Sequence, residues 1–209
     1  MNEKYTIIDD ISKFYEISNI NENDFKYYIF EHCNFYDYIF ENFYFSNCIF
    51  RKCNFIECEF LGSTFINVSS QNVNISNSLF ENSYFKYNTF ENSKIYSDKF
   101  IKSKFNMCYF DEDILKYTIF DNCIMNKFNI LKSNMNFGGI INSKLKYIVF
   151  ENNDFTEVSF FNTMLADIDF TSCIIDNIKV SENLKELKNG IFSVIQSVEL
   201  AKLIGIIIK

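Results

Sequence analysis

A large apolar side chain recurs at every fifth residue of this chain, a pattern that neither an ordinary helix nor an ordinary strand can bury. Of the 26 phenylalanines, 20 fall at residue numbers divisible by five, from Phe25, Phe30 and Phe35 to Phe155, Phe160 and Phe170. Ile20, Ile75, Ile95, Leu115, Met125, Ile130, Met135, Ile140, Leu145, Leu165, Ile175 and Val180 fill the same class, so between residues 20 and 180 only Ser70 breaks the apolar series. Five residues advance a helix by about 500°, which winds the apolar stripe around its axis, and an odd spacing on a strand sends successive side chains to opposite faces. The backbone must therefore turn a corner once per repeat.

Small side chains stand two residues before the apolar centres, at Ser63, Ser78, Ser83, Ser93, Ser103, Thr118, Ser133, Gly138, Ser143 and Thr163. All seven cysteines, Cys33, Cys48, Cys53, Cys58, Cys108, Cys123 and Cys173, occupy that position too. They are read as small hydrophobes packed beside the large residue, not as disulfides or metal ligands. Cys53 and Cys58 have the wrong spacing for a zinc knuckle and His32 is the lone histidine. The thiols imply a reducing compartment.

Twelve asparagines (Asn42, Asn47, Asn67, Asn72, Asn77, Asn82, Asn92, Asn122, Asn142, Asn152, Asn162 and Asn177) lie two residues after a centre. Asparagine tolerates left-handed backbone geometry, so these positions are the expected corners. Asp98 and Asp113 occupy the small-residue position, where Ser78, Ser93, Thr118 and Ser133 are placed to supply hydrogen bonds, and a buried, satisfied ladder is expected. Tyr28, Tyr38, Phe43 and Phe128 are oversized for the same position and are expected to mark widened or distorted corners.

Segments such as Phe80-Glu81-Asn82-Ser83-Tyr84-Phe85 and Phe40-Glu41-Asn42 resemble the pentapeptide-repeat family. The resemblance covers about four fifths of the chain. It implies an all-β fold, a right-handed quadrilateral parallel β-helix in which four repeats make one turn and residues twenty apart stack. Residues 18–180 then form about eight coils, a span of ~38 Å at ~4.8 Å per strand. Parallel coils pair every backbone amide and carbonyl with the turn above or below, and each buried Phe contributes roughly 1.5–3 kcal/mol before chain entropy is subtracted.

Residues 1–17, with Ile7, Ile8, Ile11 and Phe14, are an irregular first coil or a cap over an otherwise open strand edge. Residues 181–209 leave the register. Ser181 is placed to N-cap a short helix ending near Gly190, and Ser193 with Gln196 forms a capping-box pattern for a second helix that reaches Ile204 and is stopped by Gly205. Ile206-Ile207-Ile208 reads as a strand. The apolar surface here, Ile195, Val198, Leu200, Leu203, Ile204, Ile206, Ile207 and Ile208, exceeds what sealing one coil end needs, so a partner is expected to cover it. No stretch is long and apolar enough to suggest a membrane span or a leader, and a cytoplasmic protein is expected.

The ending from Gln196 to Lys209 resembles the tail of the quinolone-resistance (Qnr-type) pentapeptide-repeat proteins. That resemblance implies a homodimer built through the C-terminal module, the alternative being a helical cap on a monomer, and a DNA-mimicking role. The implied partners are DNA gyrase and topoisomerase IV, which it would protect from fluoroquinolones, with no direct nucleic-acid binding and no cofactor. Whether the purpose is drug resistance, toxin immunity or control of supercoiling stays open, and the alternative is a structural or interaction scaffold with an unrelated partner. Candidate partner-binding residues follow the centres at multiples of ten: Glu31, Glu41, Glu81, Glu91, Asp111, Asp121 and Glu151. One intervening face carries Lys26, Lys86 and Lys146 instead. The net charge of −7 spread over ~38 Å is dilute against one charge per ~1.7 Å in duplex DNA. No nucleophile beside a base and no phosphate-binding glycine loop is present, so no enzyme is expected. Projecting loops are not evident. Val68 to Val73 and the Gly138-Gly139 pair are the places where one would sit.

Overall fold

The computed structural model describes residues 5–207. Its backbone turns at the second residue after each centre. All twelve corner asparagines have φ between 50° and 56°. Lys52, Tyr87, Met107 and Phe137 share that geometry at the same position, so the corner belongs to the position and asparagine is the residue that adopts it most cheaply. Between corners run three-residue strands, each paired in parallel with the strand twenty residues on: Phe40 opposite Phe60, Phe60 opposite Phe80, Phe80 opposite Phe100. The corner amides join the ladder as well. Asn42 N donates to Leu61 O at 2.8 Å, and Asn47 N donates to Ile66 O at 2.9 Å.

Four faces result, called here faces 1 to 4 for the columns beginning at Phe25, Phe30, Phe35 and Phe40. Face 2 holds strands at Phe30, Phe50, Ser70, Phe90, Phe110, Ile130 and Phe150. Regular pairing therefore spans about seven coils, against the eight expected; on face 3 it thins to isolated bridges from Lys94 to Ile114 onward, and beyond Glu151 it does so on the other faces, as at Ser159 to Lys179. The register runs without a projecting loop through Val68–Val73 and Gly138–Gly139. At Gly138 a Cβ would lie 2.7 Å from Thr118 O and 2.9 Å from Met135 O, so that glycine is there for close approach. At Met107 and Lys127 the strand ladder continues through the corner, from Lys104 to Asp111 and from Ile124 to Leu131, with oversized Phe128 opposite Cys108.

The core is a set of ring columns. On face 4, Phe40 and Phe60 stack at 4.4 Å, Phe60 and Phe80 at 4.4 Å, Phe80 and Phe100 at 4.6 Å, and Phe100 and Phe120 at 4.8 Å. Each such pair adds roughly 0.5–1.5 kcal/mol beyond the area it buries. The small-residue position is also inside, and its polar atoms are used. Ser63 Oγ donates to Phe40 O at 2.8 Å, and the thiols do likewise, Cys48 to Phe25 O and Cys53 to Phe30 O, both at 3.3 Å. All seven cysteines are free and buried, and burial pushes the Cys48, Cys58 and Cys108 thiols up to about 11. They are weak donors to carbonyls as well as fillers.

Both ends are closed by residues outside the repeat. At the start, Thr6–Ile8 pairs with the Tyr28–Phe30 strand, and helix α1 (Ile11–Ile20) follows, with Asp10 as N-cap accepting from Ser12 N at 2.7 Å. The described part of this segment is thus one strand added to the face 2 ladder and a helix lying over the coil end. Helix α1 runs past the boundary expected at residue 17, and Ile20 is 71 % exposed on it, so the inward series begins at Phe25. Phe14 is fully buried and stacks on Phe25 at 5.3 Å, filling the open end with a ring.

At the other end the short helix expected after Ser181 is only a 3₁₀ turn, Lys185–Leu187, because Glu186 turns inward. Its carboxylate accepts from Asn162 N at 2.8 Å and Ser181 Oγ at 2.7 Å. Burial alone would raise its pKa, but those hydrogen bonds hold it below the ordinary glutamate value. The capping box forms as expected, with Ser193 N donating to Gln196 Oε1 at 2.8 Å and Gln196 N to Ser193 Oγ at 3.3 Å. Helix α2 is Gln196–Lys202, beginning two residues later than a Ser193 cap implies and ending two residues before Ile204, and Gly205 ends the segment at φ +77°. Ile206 and Ile207 form no strand, and Ile208 lies outside the described residues. Among the described residues no helix is long and apolar enough to cross a membrane.

Candidate partner-binding surface

Residues flanking each centre point outward, so the surface is organised in columns that the register fixes. On face 2 the column after the centres reads Glu31, Arg51, Gln71, Glu91, Asp111, Leu131 and Glu151, and on face 4 it reads Glu41, Leu61, Glu81, Ile101, Asp121 and Ile141. All seven candidate acidic residues are thus on faces 2 and 4. Face 4 places an acid on every second coil, ~9.6 Å apart.

Lysines dilute the pattern. Lys102 lies 3.7 Å from Glu81, and Lys132 lies 3.8 Å from Asp111 and 3.2 Å from Glu112. Exposed pairs of this kind are worth little in stability, about 0–1 kcal/mol, but they lower the local field. Among the described residues, Glu31, Glu41, Glu91, Asp121 and Glu151 have no cation within 4.0 Å. Those five form the open part of the acidic set.

Face 3 joins the two acidic faces into one arc. On it or at its trailing corner stand Asp37, Glu57, Asp154, Glu157 and Asp176, against Lys94 and Lys116. Considering only the residue directly after each centre hides this, because most of these acids occupy the other two outward positions. Face 1 is the opposite. It carries Lys26, Lys86, Lys104, Lys127, Lys144 and Lys146, with Asp24 and Asp167 at its two ends. Lys26, Lys86 and Lys146 sit over the rings of Tyr27, Tyr87 and Tyr147 at 5.1, 4.9 and 4.9 Å. The column therefore has three acidic-leaning sides and one basic, tyrosine-lined side.

The C-terminal module divides its apolar residues. Leu200 and Leu203 are half-buried and pack against the core, and Gln196 Nε2 donates to Phe170 O at 2.8 Å and Cys173 O at 2.7 Å, so α2 is docked on the last coil. Val198 is half-buried. Ile195, Ile204, Ile206 and Ile207 are exposed, and Val194, which helical patterning did not single out, is 89 % exposed beside them. Among the described residues no group of three or more His, Cys, Asp and Glu is placed to hold a metal ion.

Residues 45–87 match the family model described as pentapeptide repeats (9 copies). No curated protein sequence matches the chain. Among solved structures, full-length QnrB1, a plasmid-mediated fluoroquinolone resistance protein, aligns at 15 % identity and a TM-score of 0.37, covering 85 % of this chain and 100 % of that one. HetL, a pentapeptide-repeat protein involved in heterocyst differentiation regulation in the cyanobacterium Nostoc, aligns at 8 % identity and a TM-score of 0.35, covering 87 % and 92 %. A third, Rfr23 from the cyanobacterium Cyanothece, aligns at 9 % identity and a TM-score of 0.22, covering 87 % and 99 %.

Proposed function

Because the chain is a pentapeptide-repeat solenoid, its binding chemistry lies on the outside of a column, and we propose that it is a non-catalytic DNA mimic that binds bacterial type II topoisomerases and protects them from fluoroquinolones. The observation that carries the reading is the acidic arc over faces 2, 3 and 4, bounded by the basic face 1. An enzyme groove built for a duplex is lined with cations, so the arc turns inward and face 1 turns away. The charge is sparser than that of DNA, so the straight-sided shape contributes the rest of the fit. The tail's likeness to Qnr-type endings directs the proposal to DNA gyrase and topoisomerase IV.

Reversing Glu41, Glu91, Asp121 and Glu151 to lysine together is expected to abolish gyrase binding while leaving the thermal transition within a few degrees of the parent. A supercoiling assay with ciprofloxacin is the readout. Protection or inhibition by the parent protein and none by the variant supports the reading, whereas a parent without effect on gyrase from its own source leaves the scaffold role.

The same proposal includes a two-fold dimer through the C-terminal module, which lengthens the column. Val194, Ile195, Ile204, Ile206 and Ile207 expose aliphatic surface next to a docked helix, the arrangement a second copy would cover. The variant Ile195→Asp with Ile207→Asp is expected to halve the mass measured by light scattering. A parent protein already monomeric at the highest soluble concentration removes the dimer.

A further inference from the structure

The interior position two residues before each centre has a double task, and two aspartates meet only half of it. A polar side chain there accepts from the backbone amide twenty residues earlier and donates to a carbonyl, that of the centre twenty-three residues earlier or, as at Ser93 and Ser133, that of the residue two before it. Asn88 does both, accepting from Val68 N at 2.8 Å and donating through Nδ2 to Phe65 O at 3.0 Å. Asn153 repeats it with Ser133 N at 2.9 Å and Ile130 O at 2.6 Å. Ser63 and Ser103 do the same with one hydroxyl.

Asp98 and Asp113 make the accepting bond in the same way, from Ser78 N at 2.6 Å and Ser93 N at 2.7 Å. The donating bond is missing, and Asp98 Oδ2 and Asp113 Oδ2 are buried with no hydrogen-bond partner. The sequence reading of a fully satisfied ladder is therefore corrected: as acceptors these two side chains are half satisfied. The carbonyls that correspond to those the asparagines reach, twenty-three residues back, are Ile75 O for Asp98 and Phe90 O for Asp113. An ionised oxygen there would face a carbonyl lone pair, whereas a protonated one donates to it.

We infer that Asp98 and Asp113 are built into the column as neutral carboxylic acids, their Oδ2–H groups replacing the asparagine amide, and that together they make the middle coils a pH-sensitive latch. Around Asp98 the ionisable groups are Lys94 and the buried Cys58 thiol. Around Asp113 they are Asp111 and Glu91, with Lys132 and Glu112 paired to that cluster. Burial raises both aspartates to about 8 from an ordinary 3.8, and the anions Asp111 and Glu91 push Asp113 the same way.

The sign follows from linkage. The folded-state pKa is raised, so the unfolded chain gives up protons between about pH 4 and 8 that the folded chain keeps. Stability from these sites is complete below pH ~4, falls as pH rises toward 8, and levels off above it, the reverse of an ion-paired carboxylate.

The test is thermal unfolding of the full chain, of D98N, of D113N and of D98N/D113N between pH 4.5 and 9. The double asparagine variant is expected to lose the downward slope, to lie closest to the parent at pH 4.5, and at pH 8 to have a folded-to-unfolded ratio higher by about tenfold or more per site. Parallel curves for parent and double variant, or asparagine variants less stable at every pH, overturn the inference. Infrared spectra of the parent near pH 6.5 give a second reading that needs no folded variant. A carboxylic-acid carbonyl band that disappears on alkaline titration supports the assignment, and carboxylate bands alone overturn it.

Discussion

Phe100→Ala is expected to destabilise the protein by about 3–5 kcal/mol, the usual cost of removing a fully buried ring whose neighbours cannot close over the gap. Phe100 has no exposed surface and lies between Phe80 at 4.6 Å and Phe120 at 4.8 Å, with Phe85 and Phe105 edge-on at 5.9 and 5.5 Å. The rungs above and below are fixed by backbone pairing at residues 80 and 120, so a short side chain leaves a void of nearly ring size. Each coil contacts mainly its neighbours, and so the damage is expected to be local. Hydrogen exchange should lose protection most in the coils holding Phe80, Phe100 and Phe120 and less at the two capped ends. A denaturant midpoint shift equivalent to less than about 1 kcal/mol would sink the view that the ring columns hold the fold.

The opposite change is expected at Ser70→Phe, a gain of about 2 kcal/mol or more. Ser70 is the one centre without a large side chain, and it sits in the face 2 column between Phe50 and Phe90. A cavity of about 20 Å³ remains there, enough for one water-sized sphere, walled by Phe50, Phe55, Phe60, Phe65, Ile75, Phe80, Phe85 and Phe90. The neighbours register it. Phe50, Phe65 and Phe90 retain 5–6 % exposure, whereas Phe100, Phe110 and Phe120 retain none. A ring at residue 70 would restore two stacked pairs in that column and fill the space. A higher melting temperature with an unchanged slope in denaturant is the expected result. A lower one means that the surrounding rings have already closed into the space and the addition overpacks it.

The corners and columns follow from one-dimensional information because each coil repeats the same small problem. A five-residue period forces the turn, a small side chain two residues earlier leaves room, and asparagine two residues later adopts positive φ at little cost. Phe80, Cys58 and Asn82 are therefore each placed by spacing alone. Ser70 was visible as a break in the series, but a break says nothing of whether neighbours relax into it. The acidic residues of faces 2 and 4 were legible at the position directly after each centre. The arc through face 3 and the basic side built by Lys104, Lys127 and Lys144 emerge only when all three outward positions are wrapped around the column.

Where the repeat stops, the sequence by itself decided less. Phe14 and Ile20 are both apolar residues of one short helix, yet Phe14 plugs the first coil and Ile20 is in solvent, because the docking angle of α1 is set by the rings already present beneath it. Nothing in the repeat pattern singles out Glu186, yet its carboxylate is drawn inside by Asn162 N and Ser181 Oγ. The split between Leu200 and Leu203 on the core and Ile204 to Ile207 in solvent likewise depends on Gln196 anchoring α2 to two carbonyls of the final turn. Regular coils are determined by local spacing because the partner of every residue is twenty positions away by construction. The ends and the unfilled interior positions are determined by three-dimensional contact, since there the partner is whatever group the preceding coils have left unpaired.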